Sequence, residues 1–102
     1  MKSIRLDAYV VDTLMQDLVA HDRSPASFLV FLFFWRRTRG RRPPRVRASL
    51  REIAEGTGLA RRTVQSALRR LEKRQLVSVH RKGITEVPVY QVHAPWNRGR
   101  RP

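Results

Sequence analysis

The sequence contains no cysteine, which excludes disulfide staples, thiolate zinc sites and thiol nucleophiles and accords with a reducing cytoplasm. Acidic residues are scarce, eight Asp and Glu against 22 Lys and Arg. Long apolar runs are missing as well. The longest, Phe28–Trp35, spans eight residues, whereas a membrane helix needs about 20, so it reads as a buried helix and no membrane partner is expected. Asp7 and Asp12 interrupt the amino-terminal stretch, so no signal peptide is expected. There is no glycine-rich phosphate loop, no Ser-His-Asp set and no nucleophile beside a base. His21, His80 and His93 fall on separate elements without metal-ligand spacing. Asp7, Asp12, Asp17 and Asp22 recur every five residues, a step of about 140° around a helix that scatters them instead of pairing them. These absences predict a non-enzymatic protein with no cofactor, no metal and no small-molecule site.

What is present is a single-domain length and a large, uneven positive charge. A chain of 102 residues, 41% of them hydrophobic, accommodates one modest core, not a DNA-binding domain plus a sensing domain. The formal net charge is +14. Residues 1–22 hold Lys2 and Arg5 against four Asp, a net of −2, which leaves +16 for residues 23–102. Every basic residue except Lys2, Lys73 and Lys82 is Arg, whose planar fork pairs with phosphate and base edges. A surplus of this size makes a polyanion the expected partner. Charge alone does not choose among DNA, RNA and an anionic membrane.

Local patterns predict the order of elements. Asp7 is placed to cap a first helix running to about His21, with Val10, Val11, Leu14 and Leu18 near one stripe. Ser24-Pro25, a hydroxyl cap before a first-turn proline, opens a second helix that ends near Thr38–Gly40. Its aromatics, Phe28, Phe31, Phe33, Phe34 and Trp35, lie on too many sides for a small monomer to bury easily. Helix 7–21 or a second subunit is expected to cover the surplus. Seven arginines fall in the twelve positions 36–47, where Gly40 and Pro43-Pro44 break any helix and lead into an extended piece at 45–48.

Ser49 and Glu52 have the spacing of a capping box at the start of a third helix, which Gly56-Thr57-Gly58 stops. A fourth helix covers about Ala60–Arg74, with Val64, Leu68 and Leu71 inward and Arg61, Arg62, Gln65, Arg69 and Lys73 outward. Val77 and Val79 alternate with Ser78 and His80, and Val87, Val89, Tyr90 and Val92 read as extended, with Pro88 marking an edge strand. Arg81-Lys82-Gly83 is the basic turn between these strands. Asn97–Pro102 reads as a basic tail that buries nothing.

Two short helices joined by a tight turn need a small residue at their close approach, a glycine in the turn and an apolar anchor on the second helix. Ala54, Gly58 and Val64 supply these, with Ile53, Leu59 and Leu68 completing the core. The stretch from Ser49 to Leu71 resembles the helix-turn-helix of bacterial winged-helix transcription regulators, notably the GntR and MarR types. The passage Glu72–Val79 resembles their route from recognition helix into wing, and the resemblance covers residues 45–93. It implies a mostly α, α+β fold: a winged helix-turn-helix with a small β-hairpin and an additional amino-terminal helix. The implied division is an amino-terminal helix over 1–23 for packing or dimerisation, the winged domain over 24–95 and a basic flexible tail over 96–102.

The resemblance further implies that the fourth helix enters the major groove of double-stranded DNA. Carried over by position, its contacts are Arg61, Arg62, Thr63, Gln65 and Ser66, with Arg69 and Arg70 one turn on. Ser49 and Arg51 match phosphate-contacting positions, and His80, Arg81, Lys82 and Gly83, in a wing of about 80–86, match the backbone or minor-groove reader. Arg41, Arg42, Arg45 and Arg47 in the basic loop are a backbone clamp or a solvated connector. One departure is Ala60 where the family has a hydroxyl cap, a loss of about 1 kcal/mol. The expectation is a small bacterial transcriptional regulator, a nucleoid-associated homodimer in the cytoplasm. The same module also serves plasmid or phage replication and partition initiators, and RNA- or ribosome-associated basic proteins.

Overall fold

The computed structural model describes residues 1–83 and 86–97. Its architecture follows from one helix. The Ser24 hydroxyl accepts the Ser27 N–H at 3.3 Å and Pro25 fills the first position, so α2 (Pro25–Thr38) starts where its cap dictates. Phe28, Val30, Phe31, Phe33, Phe34 and Trp35 are all buried. A helix that is apolar on nearly every side has to be enclosed. It is enclosed by α1 (residues 8–21), by the last long helix and by the sheet.

Val10, Leu14 and Leu18 form the inner stripe of α1. Steps of four residues drift by about 40° per step on an ideal α-helix. Wider i→i+5 turns at Val10–Leu14 and Asp17–His21 offset that drift, with the Met15 N–H reaching the Val10 carbonyl and the Asp22 N–H reaching Asp17. The same widening leaves Val11 45% exposed, off the inner stripe that plain helical periodicity assigns it to. Nor does the Asp7 side chain cap this helix. Its carboxylate instead accepts Trp96 Nε1–H at 2.9 Å and Asn97 Nδ2–H at 3.2 Å.

Trp96 lies in a short turn, Pro95–Asn97, and stacks on Tyr9 with ring centroids 4.7 Å apart and beside Trp35 at 6.2 Å. Residues 96 and 97, assigned to the tail by composition, therefore close the seam between α1 and α2. An indole can bury its rings there because a carboxylate meets its N–H. The rest of the expected tail, with Arg98, Arg100 and Arg101, lies outside the described residues.

The sheet is antiparallel in the order β1-β3-β2, from β1 (Arg45–Arg47), β2 (Val77–His80) and β3 (Val89–Val92). The extended piece before the third helix thus makes a third strand beside the hairpin. Val46, Val79 and Tyr90 share one register line, as do Val77 and Val92 on the same core-facing side. Pro88 does not mark an edge: β3 is the central strand. Pro88 precedes its first ladder residue, where no N–H is needed, and its carbonyl accepts the Ala48 N–H at 3.2 Å.

The helix-turn-helix comprises α3 (Leu50–Thr57) and α4 (Arg61–Lys73). The capping box forms, with Ser49 N–H to Glu52 Oε1 at 3.0 Å and Glu52 N–H to Ser49 Oγ at 3.1 Å. Gly58 takes φ +79°, a left-handed conformation that glycine adopts without Cβ strain, and returns its N–H to Ala54 at 2.8 Å. At the end of α4, Gln75 sits at φ +59° while the Leu76 N–H reaches the Leu71 carbonyl, so the helix stops in a Schellman turn without glycine. Ala54 packs against the core as expected, but the tightest approach is at Gly56, where the Phe33 ring fills the space of a Cβ. Gly56→Ala is expected to lower stability by about 1–3 kcal/mol, read from the urea midpoint. An unchanged midpoint would show that the Phe33 ring yields freely.

Candidate nucleic-acid interface

Successive residues of α4 step by about 100°, which sorts its side chains into an anchored side and a free side. Val64, Ala67, Leu68 and Leu71 are buried. Opposite them, Arg62, Ser66, Arg69 and Lys73 fall within an arc of about 60°, and all four are exposed. Arg69 Nη2 donates to Ser66 Oγ at 3.3 Å. Lys73 belongs to this stripe by helical spacing alone, a turn beyond the positions drawn from the family's contacts. Arg61 and Gln65 occupy the flank toward the sheet. Gln65, Arg69 and Glu72 face Arg81 and Val79 across a hollow of about 190 Å³ between α4 and β2. Tyr90, its ring tilted by 33° against Phe34 at 4.8 Å, lies at its base with a buried hydroxyl that has no partner among the described residues, and burial pushes the phenol pKa up.

Thr63 and Arg70 lie on the other flank, which faces the end of α1. There Arg74 Nε donates to Asp22 Oδ2 at 2.8 Å, Arg74 Nη2 donates to Oδ1, and Arg70 stands 3.6 Å from the same carboxylate. The Asp22 side chain is only 6% exposed, so little water competes for it. The two Arg74 bonds, then the His21 ring, hold its carboxyl well below the usual carboxylate range. This ion pair joins the amino-terminal helix to the carboxyl end of α4 and leaves the other end of α4 free.

The remaining candidates are spread more widely. Ser49 Oγ serves the capping box as an acceptor, and Arg51 pairs along its helix with Glu55 at 3.1 Å. His80 ends β2 and Arg81, Lys82 and Gly83 follow it, all four exposed. Residues 84 and 85 of the expected wing lie outside the described residues. Arg45 and Arg47 project from the solvent side of β1, Arg45 bonded to Gln91 Oε1 at 2.9 Å, while Arg41 and Arg42 are exposed in the preceding loop. Ala60 makes no side-chain cap at the start of α4. Among the described residues no three His, Cys, Asp or Glu side chains gather as a metal site, and no helix is long and apolar enough to cross a membrane.

A family model described as a Crp-like helix-turn-helix domain matches residues 26–88, from the first turn of α2 to the residue before β3. The chain belongs to the Crp-like helix-turn-helix family. The match is to this family and not to the GntR or MarR types that residues 45–93 resemble; the helix-turn-helix is the shared feature. It also takes in α2, which lies before residues 45–93 but within the winged domain expected over 24–95. No curated protein and no solved structure gives a match. The α3–turn–α4 unit of this Crp-like domain is therefore a helix-turn-helix of the DNA-binding kind.

The Asp22 pair in the Crp-like domain generates a pH dependence. Because its folded-state pKa is lowered, its contribution is complete above the unfolded value of about 4 and is lost as the pH falls below it. Asp22→Asn is expected to lower stability at neutral pH by about 1–2 kcal/mol. Its deficit relative to the native chain should shrink on acidification below pH ~4, in urea unfolding at a series of pH values. A deficit that stays constant down to strong acid would discount the ion pair.

Proposed function

We propose that this Crp-like domain is a small transcriptional regulator that binds double-stranded DNA sequence-specifically, with α4 in the major groove and the basic turn after β2 on the backbone or in the minor groove. What carries this is the uncovered Arg62–Ser66–Arg69–Lys73 stripe, whose helix is anchored from behind and at its carboxyl end only. The major groove admits an α-helix, and Arg reads guanine by a bidentate contact. Gln65 and Arg61 on the wing-side flank add base or phosphate contacts, and Lys82 adds a phosphate contact. Such a protein works on the chromosome, in the cytoplasm.

Arg62→Ala or Gln65→Ala is expected to change the preferred sequence, each lost contact weakening the best site by about 1–3 kcal/mol. Lys82→Ala should instead weaken all duplexes alike and reduce the salt dependence. Selection of bound duplexes from a random pool, repeated with each variant, reads both effects. Equal affinity for structured RNA and for the selected duplex at physiological salt would favour an RNA-associated role.

The homodimer belongs to the same proposal. Val11, Met15 and Val19, spaced at i, i+4 and i+8, are 45%, 37% and 36% exposed along the outer side of α1. They sit on the amino-terminal segment, where residues 1–22 carry a net charge of −2, a surface on which two copies of a +14 protein meet with little repulsion. Isologous pairing there gives the two-fold symmetry that a palindromic site requires. Met15→Glu is expected to convert a dimer into the 12.0 kDa monomer in sedimentation velocity. A native chain that is monomeric at all concentrations would remove the dimer.

A further inference from the structure

The sheet register divides the arginine-rich stretch between two ends of the molecule. β1 and β2 both run toward the wing tip and β3 runs away from it. Arg47 lies opposite Val89, which pairs with His80 at the tip end, while Arg45 lies opposite Gln91, which pairs with Ser78 at the other. Arg47 accordingly lines a hollow with Lys82, Glu86 and Val87. The loop before Arg45 belongs to the remote end. There Arg36 and Arg39 meet Lys2 and Arg5 around a separate open hollow of about 600 Å³ with no acidic side chain in its lining.

This second cluster is partly held in place. The Arg39 guanidinium lies 3.9 Å from the centre of the Trp35 ring, a cation–π contact that holds the side chain at the hollow. Trp35 Nε1–H donates to the Arg5 carbonyl at 2.7 Å, which ties the amino-terminal segment across the hollow. Lys2, Arg5, Arg36 and Arg39 are exposed, and none joins an ion pair among the described residues, in contrast to Arg51, Arg70 and Arg74. Four uncompensated cations around one hollow repel one another, and a seated polyanion removes that repulsion while its own counterions are released.

We propose that the Lys2–Arg5–Arg36–Arg39 hollow is a second DNA site, one that takes the phosphate backbone of a duplex segment other than the one read by α4, without regard to sequence. It rests on the DNA-binding role of α4, because a duplex held there supplies neighbouring segments at high effective concentration. With cationic faces at both ends of the sheet, one chain ties two segments together.

The test is capture of a fluorescent duplex by an immobilised one, beside titration of a single dilute duplex. The native chain is expected to capture the second duplex. Arg36→Ala with Arg39→Ala should reduce capture about tenfold while single-duplex affinity changes less than about threefold. Because losing Arg39 uncovers Trp35, Lys2→Ala with Arg36→Ala, which leaves that contact intact, must give the same selective loss. Single-duplex binding without capture by the native chain overturns the proposal. Capture that survives both double substitutions overturns it too, since it assigns bridging to a second copy and its own α4. Binding to phosphatidylglycerol vesicles in place of the second duplex, lost in the same variants, also overturns it. Absence of any duplex binding overturns the α4 role together with it.

Discussion

Burial of the aromatic side chains within Phe28–Trp35 is the constraint on which the rest of this molecule depends. Each of its aromatic side chains removes a large apolar area from water, and they point in nearly every direction around α2. Burying them takes cover from several elements, so α1, α4, the sheet and the returning Trp96 pack around α2, with Leu29 left 44% exposed on its outer side. The Phe33 ring resting on Gly56 then sets how closely α3 approaches. The placement of the helix-turn-helix is a consequence of enclosing α2.

Electrostatics works against this compact core, because a chain of net charge +14 repels itself. The acids present are not spread evenly over the cations. Asp22 serves Arg74 and Arg70 on the α1 side of α4, and Glu55 serves Arg51. The outward stripe of α4 and the hollow at Lys2 and Arg5 receive no described carboxylate. Charge is thus neutralised where helices must hold together and left uncompensated on two separated surfaces. That pattern suits a protein whose missing counter-charge arrives with a nucleic acid.

Much of this was legible in the residues because the relevant signals are local. Ser24-Pro25, the Ser49–Glu52 box, Gly58 and the spacing of Val64, Leu68 and Leu71 act over three or four positions, and each produces the start, stop or face expected of it. Four expectations departed, three because a distant partner intervened and one because α1 winds more loosely than an α-helix. Asp7 leaves its cap for Trp96 and Asn97, the wider turns of α1 expose Val11, Pro88 opens a central strand, and Trp96 packs instead of trailing. The outward side of α4 follows from periodicity, yet which flank meets the wing and which meets Asp22 does not.

By itself the sequence determined the element order, the helix-turn-helix and the excess of arginine, since caps, glycines and apolar spacing bias the chain before any distant contact forms. Only the tertiary structure decided how the charged groups are shared out: Arg70 and Arg74 given to Asp22, Arg47 sent toward the wing, Arg36 and Arg39 sent to the amino-terminal segment. The physical reason is that an ion pair or a cationic hollow is made by residues tens of positions apart, and their meeting follows from strand register and from the packing around α2, which no short stretch of sequence encodes.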